Sequence, residues 1–432
     1  MSEPSSAPAS WRSSSTYLLV VLSLVNTVNW ADRQVVPILF PGIREELGLS
    51  DTELGIIGGV AFSLVYAVSA FIFGYLADRR VRRNLIAIGL VMWSAATAVS
   101  GLATGFWTLF AARFFTGIGE ASLFPAGISL IVERFPGEGR GRAVGIFGAA
   151  TAVGGGLGLG LGGPLAEAMG WRFVFFLYGG VGLLLFPFVM LITEAPRTTA
   201  DDGGFATTLG VVRETLRDRR LTWLWAAGVV MLACGVGYGA WVPSFFVRFR
   251  DLDVASAGVL FGLSQLVGGI GGALLGGYFA DRWSKRRPAG EIDVCVVAAL
   301  VSVPTVACVL IFEHPAVYLT LGALGPVAIF SFFPSIQVAV AGFVPAHRHG
   351  ITFAIQSFFM GGLGSAIGPT LIGRVSDVTG SIVTALWVPV FGMAAAAWLS
   401  WKAGNVARLQ PPGLNVQPAA AGADDDAPAM GS

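Results

Sequence analysis

Charge is scarce in this chain. Asp, Glu, Lys and Arg make up 12% of its 432 residues, about half the share found in soluble domains. A net charge of +1 gives no basic field for nucleic acid, so no nucleic-acid partner is expected. Cysteine is limited to Cys234, Cys295 and Cys308. All three fall in apolar runs and offer neither a disulfide framework nor a metal spacing. Histidine is limited to His314, His347 and His349, all near predicted loops. Without histidine at depth there is no nucleophile–base pair and no metal set in the apolar runs, so neither an enzyme nor a cofactor is expected. A signalling receptor would need a domain outside the apolar runs, and no segment is long enough for one. The opening MSEPSSAPASWRSSS is polar, and the apolar run after it has no small-residue cleavage pattern, so it reads as a first span rather than a leader.

What the chain has in abundance is apolar surface and glycine. Hydrophobic residues make up 54% and glycines number 59. No soluble core of this length absorbs that much apolar surface, so lipid is the expected solvent. Glycine suits close approach of helices in lipid. Apolar runs place twelve spans near 16–40, 53–76, 84–103, 106–132, 142–166, 172–193, 221–247, 254–280, 292–312, 316–344, 350–373 and 380–401. The expected fold class is an all-α membrane protein of 12 transmembrane helices in two pseudo-symmetric six-helix halves. The expected divisions are a disordered N-terminus 1–15, a first half 16–193, a loop 194–220, a second half 221–402 and a disordered tail 403–432. Twenty Lys and Arg fall on one side of this topology and five on the other, with Arg33 and Arg113 inside spans. The positive-inside rule then puts both termini in the cytoplasm, in a multi-pass protein of the inner (plasma) membrane.

The halves carry a repeat. Residues 74–83 read GYLADRRVRR and residues 277–286 read GYFADRWSKR, each at the end of the second span of its half. Gly163-Pro164 and Gly368-Pro369 repeat in the fifth spans. A duplicated six-span unit is the architecture of alternating-access transporters, with the site between the halves near mid-membrane. The repeated motif resembles the signature of the major facilitator superfamily. That resemblance implies a cytoplasmic gate linking the halves, formed by Gly74, Asp78, Arg79, Arg83, Asp281 and Arg282. NWADR at 29–33, LGLSDTELGIIGGVAF at 47–62 and ARFFTGIGEASLFPAG at 112–127 together resemble the Spinster family of lipid transporters, bacterial branch. One departure is Glu133, where related sequences often carry Asp.

Four ionisable residues sit well inside spans: Asp32, Arg33, Arg113 and Glu120, all in the first half. A charge at the bilayer centre costs at least about 2.5–3.5 kcal/mol, so it faces a partner or a wet cavity and marks function. Arg113 and Glu120 are two helical turns apart and share a face with Thr116. With Phe40 and Phe106 as span ends, Asp32, Arg33 and Arg113 lie level at roughly 10 Å depth, and Glu120 lies deeper. The set suits proton coupling, because water access and a nearby arginine shift a buried carboxylate in opposite directions. Asp32 and Glu120 are the expected proton carriers. Arg33 and Arg113, with Asn29 and Thr116, are the expected partners of charge or substrate. Spans of the second half carry no charge deep inside them, and Tyr238, Trp241, Phe330, Phe333, Gln337 and Gln356 are the expected apolar wall. A charged half facing an apolar one suits an amphiphile.

The expected activity is therefore proton-coupled transport of lysophospholipid- or sphingolipid-like amphiphiles by a monomer in contact with membrane lipid. The rival expectation is symport of small organic anions such as sugar acids, whose transporters share the span-one Asp-Arg pair and the span-four Arg and Glu.

Overall fold

The computed structural model describes residues 14–135, 139–194, 212–345 and 348–409, and within them it is helical throughout, with no strand. Residues 1–13 of the expected tail 1–15, residues 410–432 of the expected tail 403–432, and residues 195–211 of the loop lie outside this set. Ten helices are long and apolar enough to cross a membrane. One of them, Gly139–Met190, turns at Gly170 (φ 82°, ψ 158°) and holds spans 5 and 6. A further helix, Ser15–Leu47, carries Asp32 and Arg33 at its centre and is span 1. The count of crossings is thus twelve among the described residues.

Span 2 is Asp51–Gly58 and Val60–Arg79, span 3 Arg82–Ser100, and span 4 Phe106–Glu120 and Leu123–Arg134. In the second half, spans 7 to 10 are Arg219–Phe249, Val254–Ser284, Gly290–Ile311 and Pro315–Phe343. Span 11 is His349–Ser357, a π-helical stretch Phe358–Gly364, and Ser365–Thr379; span 12 is Ile382–Ala385 and Trp387–Leu409. The face carrying Ser15 and Leu409 is called the near face here, and the opposite one the far face.

Three limits differ from expectation. Span 1 runs seven residues beyond Phe40, through Pro37 and Pro41, and stops at Gly48 in a left-handed conformation (φ 64°). Asp32 therefore lies about 22 Å from the far end of its helix, not about 11 Å. Span 12 continues through residues 403–409, which were expected to be tail. Glu194, expected to open the loop, is instead tied into the near face of the first half through Arg82.

Local chemistry explains several breaks. Ser50 and Glu53 form a reciprocal capping box at the start of span 2, which satisfies two orphan N–H groups. Glycines of span 5 point two ways. A Cβ on Gly154 or Gly158 would lie 2.3 or 2.5 Å from the carbonyl of Thr27 or Ala31 in span 1. One on Gly163 would lie 2.5 Å from the Val254 carbonyl of span 8. The glycine-rich run of span 5 thus lets one helix touch span 1 on one side and the other half on the other.

The halves meet on the far face and part toward the near face. Span 2 packs on span 11, where a Cβ on Gly55 would meet the Pro369 carbonyl at 2.4 Å. The contact persists inward as far as Phe71 and Phe358, whose ring centroids are 5.9 Å apart. Closer to the near face, Gly74, Gly145, Gly148 and Gly277 have open space where a Cβ would stand. The apolar core divides the same way. One cluster runs from Val35, Phe40 and Trp171 through the far-face contact into the second half. A second, around Leu22, Trp93, Leu130 and Phe147, fills the near part of the first half alone. The molecule is closed on the far face and open on the near face.

Candidate functional site

Spans 1, 2, 3 and 4 place the site. Close backbone approach brings span 4 in: a Cβ on Gly117 would lie 2.7 Å from the Phe62 carbonyl of span 2. One on Gly119 would lie 2.7 Å from the Trp93 amide of span 3. Span 4 breaks just after Glu120, where Ser122 turns back on the Gly119 carbonyl.

The four expected charges form two pairs. Arg113 Nη1 lies 3.4 Å from Asp32 Oδ1, and Thr97 Oγ1 of span 3 donates to Asp32 Oδ2. Arg33 Nε lies 2.5 Å from Glu120 Oε2. Asp32 and Arg113 are therefore level, and the long Arg33 side chain reaches the deeper Glu120. The pairing compensates four charges that lipid or a dry core would otherwise penalise.

Access to the set is unequal. Asp32, Arg113 and Glu120 are 1–2% exposed, whereas the Arg33 side chain is 15% exposed. Its guanidinium carbon stands 4.2 Å from the Tyr66 ring centroid and 5.0 Å from those of Trp30 and Phe62. Phe62 also lies 5.1 Å from the Arg113 guanidinium carbon. These rings supply cation–π attraction and keep the accessible guanidinium in place. Several buried polar atoms nearby have no protein partner: Arg113 Nε, Glu120 Oε1 and Asn29 Nδ2. Such atoms are costly unless water or a ligand reaches them.

Other expected residues fall in different places. Thr116 is buried, and its hydroxyl donates to the Ala112 carbonyl in its own helix. Tyr238 and Trp241 are buried in the core. Trp241 Nε1 donates to the Pro369 carbonyl at 2.8 Å, and its ring packs 5.2 Å from Phe40 across the two halves. Trp241 therefore belongs to the far-face contact and not to an open wall, while Tyr238 is packed in the core rather than open to a cavity. Phe330 and Phe333 are half-buried neighbours, 6.3 Å apart. Gln356 Nε2 donates to Gln337 Oε1 at 3.2 Å, and Gln356 Oε1 is buried without a partner. Glu291, in the first turn of span 9, is a buried carboxylate just outside the span expected there.

On the near face, the described contacts of Arg83 stay within its own half: its side chain donates to the Ile192 carbonyl and its backbone N–H to Glu194. Arg79 stacks on Tyr75 at 3.8 Å. Asp281 and Arg282 are exposed, and the side chain of Asp78 lies outside the described set. Sequence reasoning missed the arginine that organises this region. Arg82 is fully buried, with Glu194 at 2.7 Å, Ser129 at 2.7 Å and Glu133 at 2.5 Å. It also missed Thr97, which carries no signal in the sequence, and the aromatic set around Arg33. Phe62 and Tyr66, four apart on span 2, were readable as one helix face.

The far face holds a second polar cluster. Asp51 is 2% exposed and is held by Arg44, Arg248 and Ser376. Among the described residues, no group of three or more His, Cys, Asp and Glu could hold a metal ion.

The fold has close counterparts. A bacterial homologue of the human lysosomal transporter Spinster, in an inward-facing and unoccupied conformation, superposes with a TM-score of 0.78 at 20% identity, covering 93% of this chain and 97% of that one. In sequence, the chain is 28% identical to an MFS-type efflux pump of Mycolicibacterium smegmatis, over 83% of each protein. It is 30% identical to protein spinster homolog 3 of Danio rerio, over 84% of this chain and 77% of that protein. A probable L-galactonate transporter of Escherichia coli is 29% identical, over 86% of this chain and 85% of that protein. The family model of the Major Facilitator Superfamily matches residues 22–369. With its twelve helical crossings and its divided halves, this chain belongs to the Major Facilitator Superfamily and is a multi-pass membrane transporter resembling Spinster, not an enzyme.

Proposed function

We propose that this transporter couples protons to the movement of an amphiphilic anion, of the lysophospholipid or sphingolipid type, by alternating access. The observation that carries the proposal is the pairing Asp32–Arg113 and Arg33–Glu120, buried except for Arg33. Arg33 is the member of the set that an anionic headgroup meets first. An anion that engages Arg33 competes with Glu120 for it. A carboxylate that loses its arginine in a buried site favours protonation, so anion and proton occupancy are linked. Asp32 and Glu120 are the proton carriers in this reading. The tail lies toward Phe330, Phe333 and the amide pair Gln337–Gln356 in the second half. The Lys and Arg distribution supports a near face in the cytoplasm of the inner membrane. The chain is then open to the cytoplasm as described, and it works as a monomer bathed in membrane lipid.

A second reading is favoured by the galactonate transporter among its relatives: symport of a sugar acid, whose carboxylate would take the same place on Arg33. Flux in proteoliposomes decides between them. A labelled lysophospholipid accelerated by an imposed pH gradient, with an unlabelled hexonate failing to compete, supports the first. Hexonate flux without lysolipid flux supports the second. Flux of either that ignores the gradient removes the proton from the account.

A further inference from the structure

Closure of the far face centres on one carboxylate. Asp51 begins span 2 in the first half. From the second half, Arg248 of span 7 grips it with two nitrogens, each at 3.0 Å, and Ser376 Oγ of span 11 donates at 2.7 Å. From its own half, Arg44 at the end of span 1 adds Nη1 at 2.9 Å. A second carboxylate crosses the same boundary. Asp377 of span 11 accepts the backbone N–H groups of Asp51 at 3.0 Å and Thr52 at 2.7 Å, and the Thr52 hydroxyl. Two N-terminal donors of span 2 are therefore satisfied by the other half.

Opening the far face separates Asp51 from Arg248, Ser376 and Asp377. Arg44 stays, because it and Asp51 belong to the same half and are joined by the short turn at Gly48. Its side chain is 44% exposed, whereas that of Arg248 is 20% exposed. We infer that Asp51 is a latch between the halves and that Arg44 is the counter-ion that lets the latch open. The two arginines then act in opposite directions. Arg248 favours closure, because it holds Asp51 only when the halves meet. Arg44 favours opening, because it is the partner that Asp51 keeps, and because two guanidinium groups on one carboxylate repel each other in the closed state. A simple view of salt bridges as fasteners predicts instead that losing either arginine loosens the face.

The test is a distance measurement between spin labels at Glu45 and Glu313, both exposed on the far face, in a background lacking Cys234, Cys295 and Cys308. A label pair at Arg140 and Arg286 reports the near face. Charge-assisted, bidentate contacts are the strong ones, so Asp51→Asn and Arg248→Gln are each expected to raise the ratio of far-open to far-closed molecules by roughly tenfold or more. Arg44→Gln is expected to lower that ratio by roughly threefold or more. The charge exchange Asp51→Arg with Arg248→Asp is expected to restore closure, which distinguishes a latch from a residue needed only for folding. An Arg44→Gln variant that opens the far face, or an Asp51→Asn variant with an unchanged distribution, overturns the inference. The inference rests on the alternating-access reading only in that the halves separate. The distances are read without substrate or gradient, so its failure leaves the substrate and proton reading standing.

Discussion

Replacing Arg82 by alanine should lower stability by a predictable amount. Arg82 has no solvent exposure and three side-chain partners: Glu194, Ser129 and Glu133. The consequences differ by partner. The Glu133 side chain is 57% exposed and rehydrates when Arg82 is gone. The Glu194 side chain is 2% exposed and does not. Breaking one side of a buried ion pair costs about 3–5 kcal/mol, because it leaves a buried charge uncompensated. Glu194 retains the Arg83 N–H at 2.9 Å, so the lower end, about 3 kcal/mol, is expected. For a cooperative unit of this half's size, that is a fall of roughly 6–12 °C in Tm. Thermal unfolding of the purified protein in detergent, followed by tryptophan fluorescence, reads it. Arg82→Ala with Glu194→Ala should recover most of the loss, since the orphaned charge is then absent. Arg82→Lys should fall between, because it keeps the charge but not the fork that reaches three partners. A single variant within 2 °C of wild type, or a double variant no better than the single, refutes the reasoning.

Other expectations follow from contacts elsewhere. Gly154→Ala places a Cβ 2.3 Å from the Thr27 carbonyl; overpacking of about 1–3 kcal/mol should lower both Tm and flux, as span 1 is pushed off span 5. Trp241→Phe keeps the ring against Phe40 but loses the bond to the Pro369 carbonyl, a loss of about 1 kcal/mol that should appear as a more open far face in spin-label distances. Thr97→Val removes the hydroxyl that donates to Asp32. Asp32 then lacks one of its two partners, so flux at a fixed pH gradient should fall, while Thr97→Ser should keep it. Arg33→Lys keeps a positive charge but loses the planar group framed by Trp30, Phe62 and Tyr66, so the apparent affinity for an anionic substrate should weaken more than the maximal rate.

Much of this arrangement was readable before any coordinates, and the reasons are physical. Apolar length marks a span wherever lipid is the solvent, so twelve crossings followed from composition. The same reasoning misplaced the far end of span 1. Arg44, Glu45 and Glu46 looked like a loop, yet an α-helix does not stop at the edge of the hydrocarbon. Buried charge is costly, which singled out Asp32, Arg33, Arg113 and Glu120. Which acid meets which arginine depends on helix rotation and side-chain reach, and those are set by glycines such as Gly117 and Gly119 against neighbouring spans. Arg82 stood among four arginines at the near face, and sequence alone gave no reason to separate it from residues that set orientation. Trp241 has the composition of a cavity wall, but its indole stands in the far-face contact, bonded to the Pro369 carbonyl. Asp51 and Asp377 are far apart in sequence, and no local pattern joins them.

The account stands most directly on coupled flux through the charge cluster. In proteoliposomes, uptake of a labelled anionic lysophospholipid is measured with and without an imposed pH gradient, for wild type, Asp32→Asn and Glu120→Gln. Wild-type flux should rise with the gradient, and the response should be lost in at least one of the two variants while substrate binding is retained. Flux that is indifferent to the gradient in wild type, or equally dependent on it in both variants, would contradict the role given to these residues.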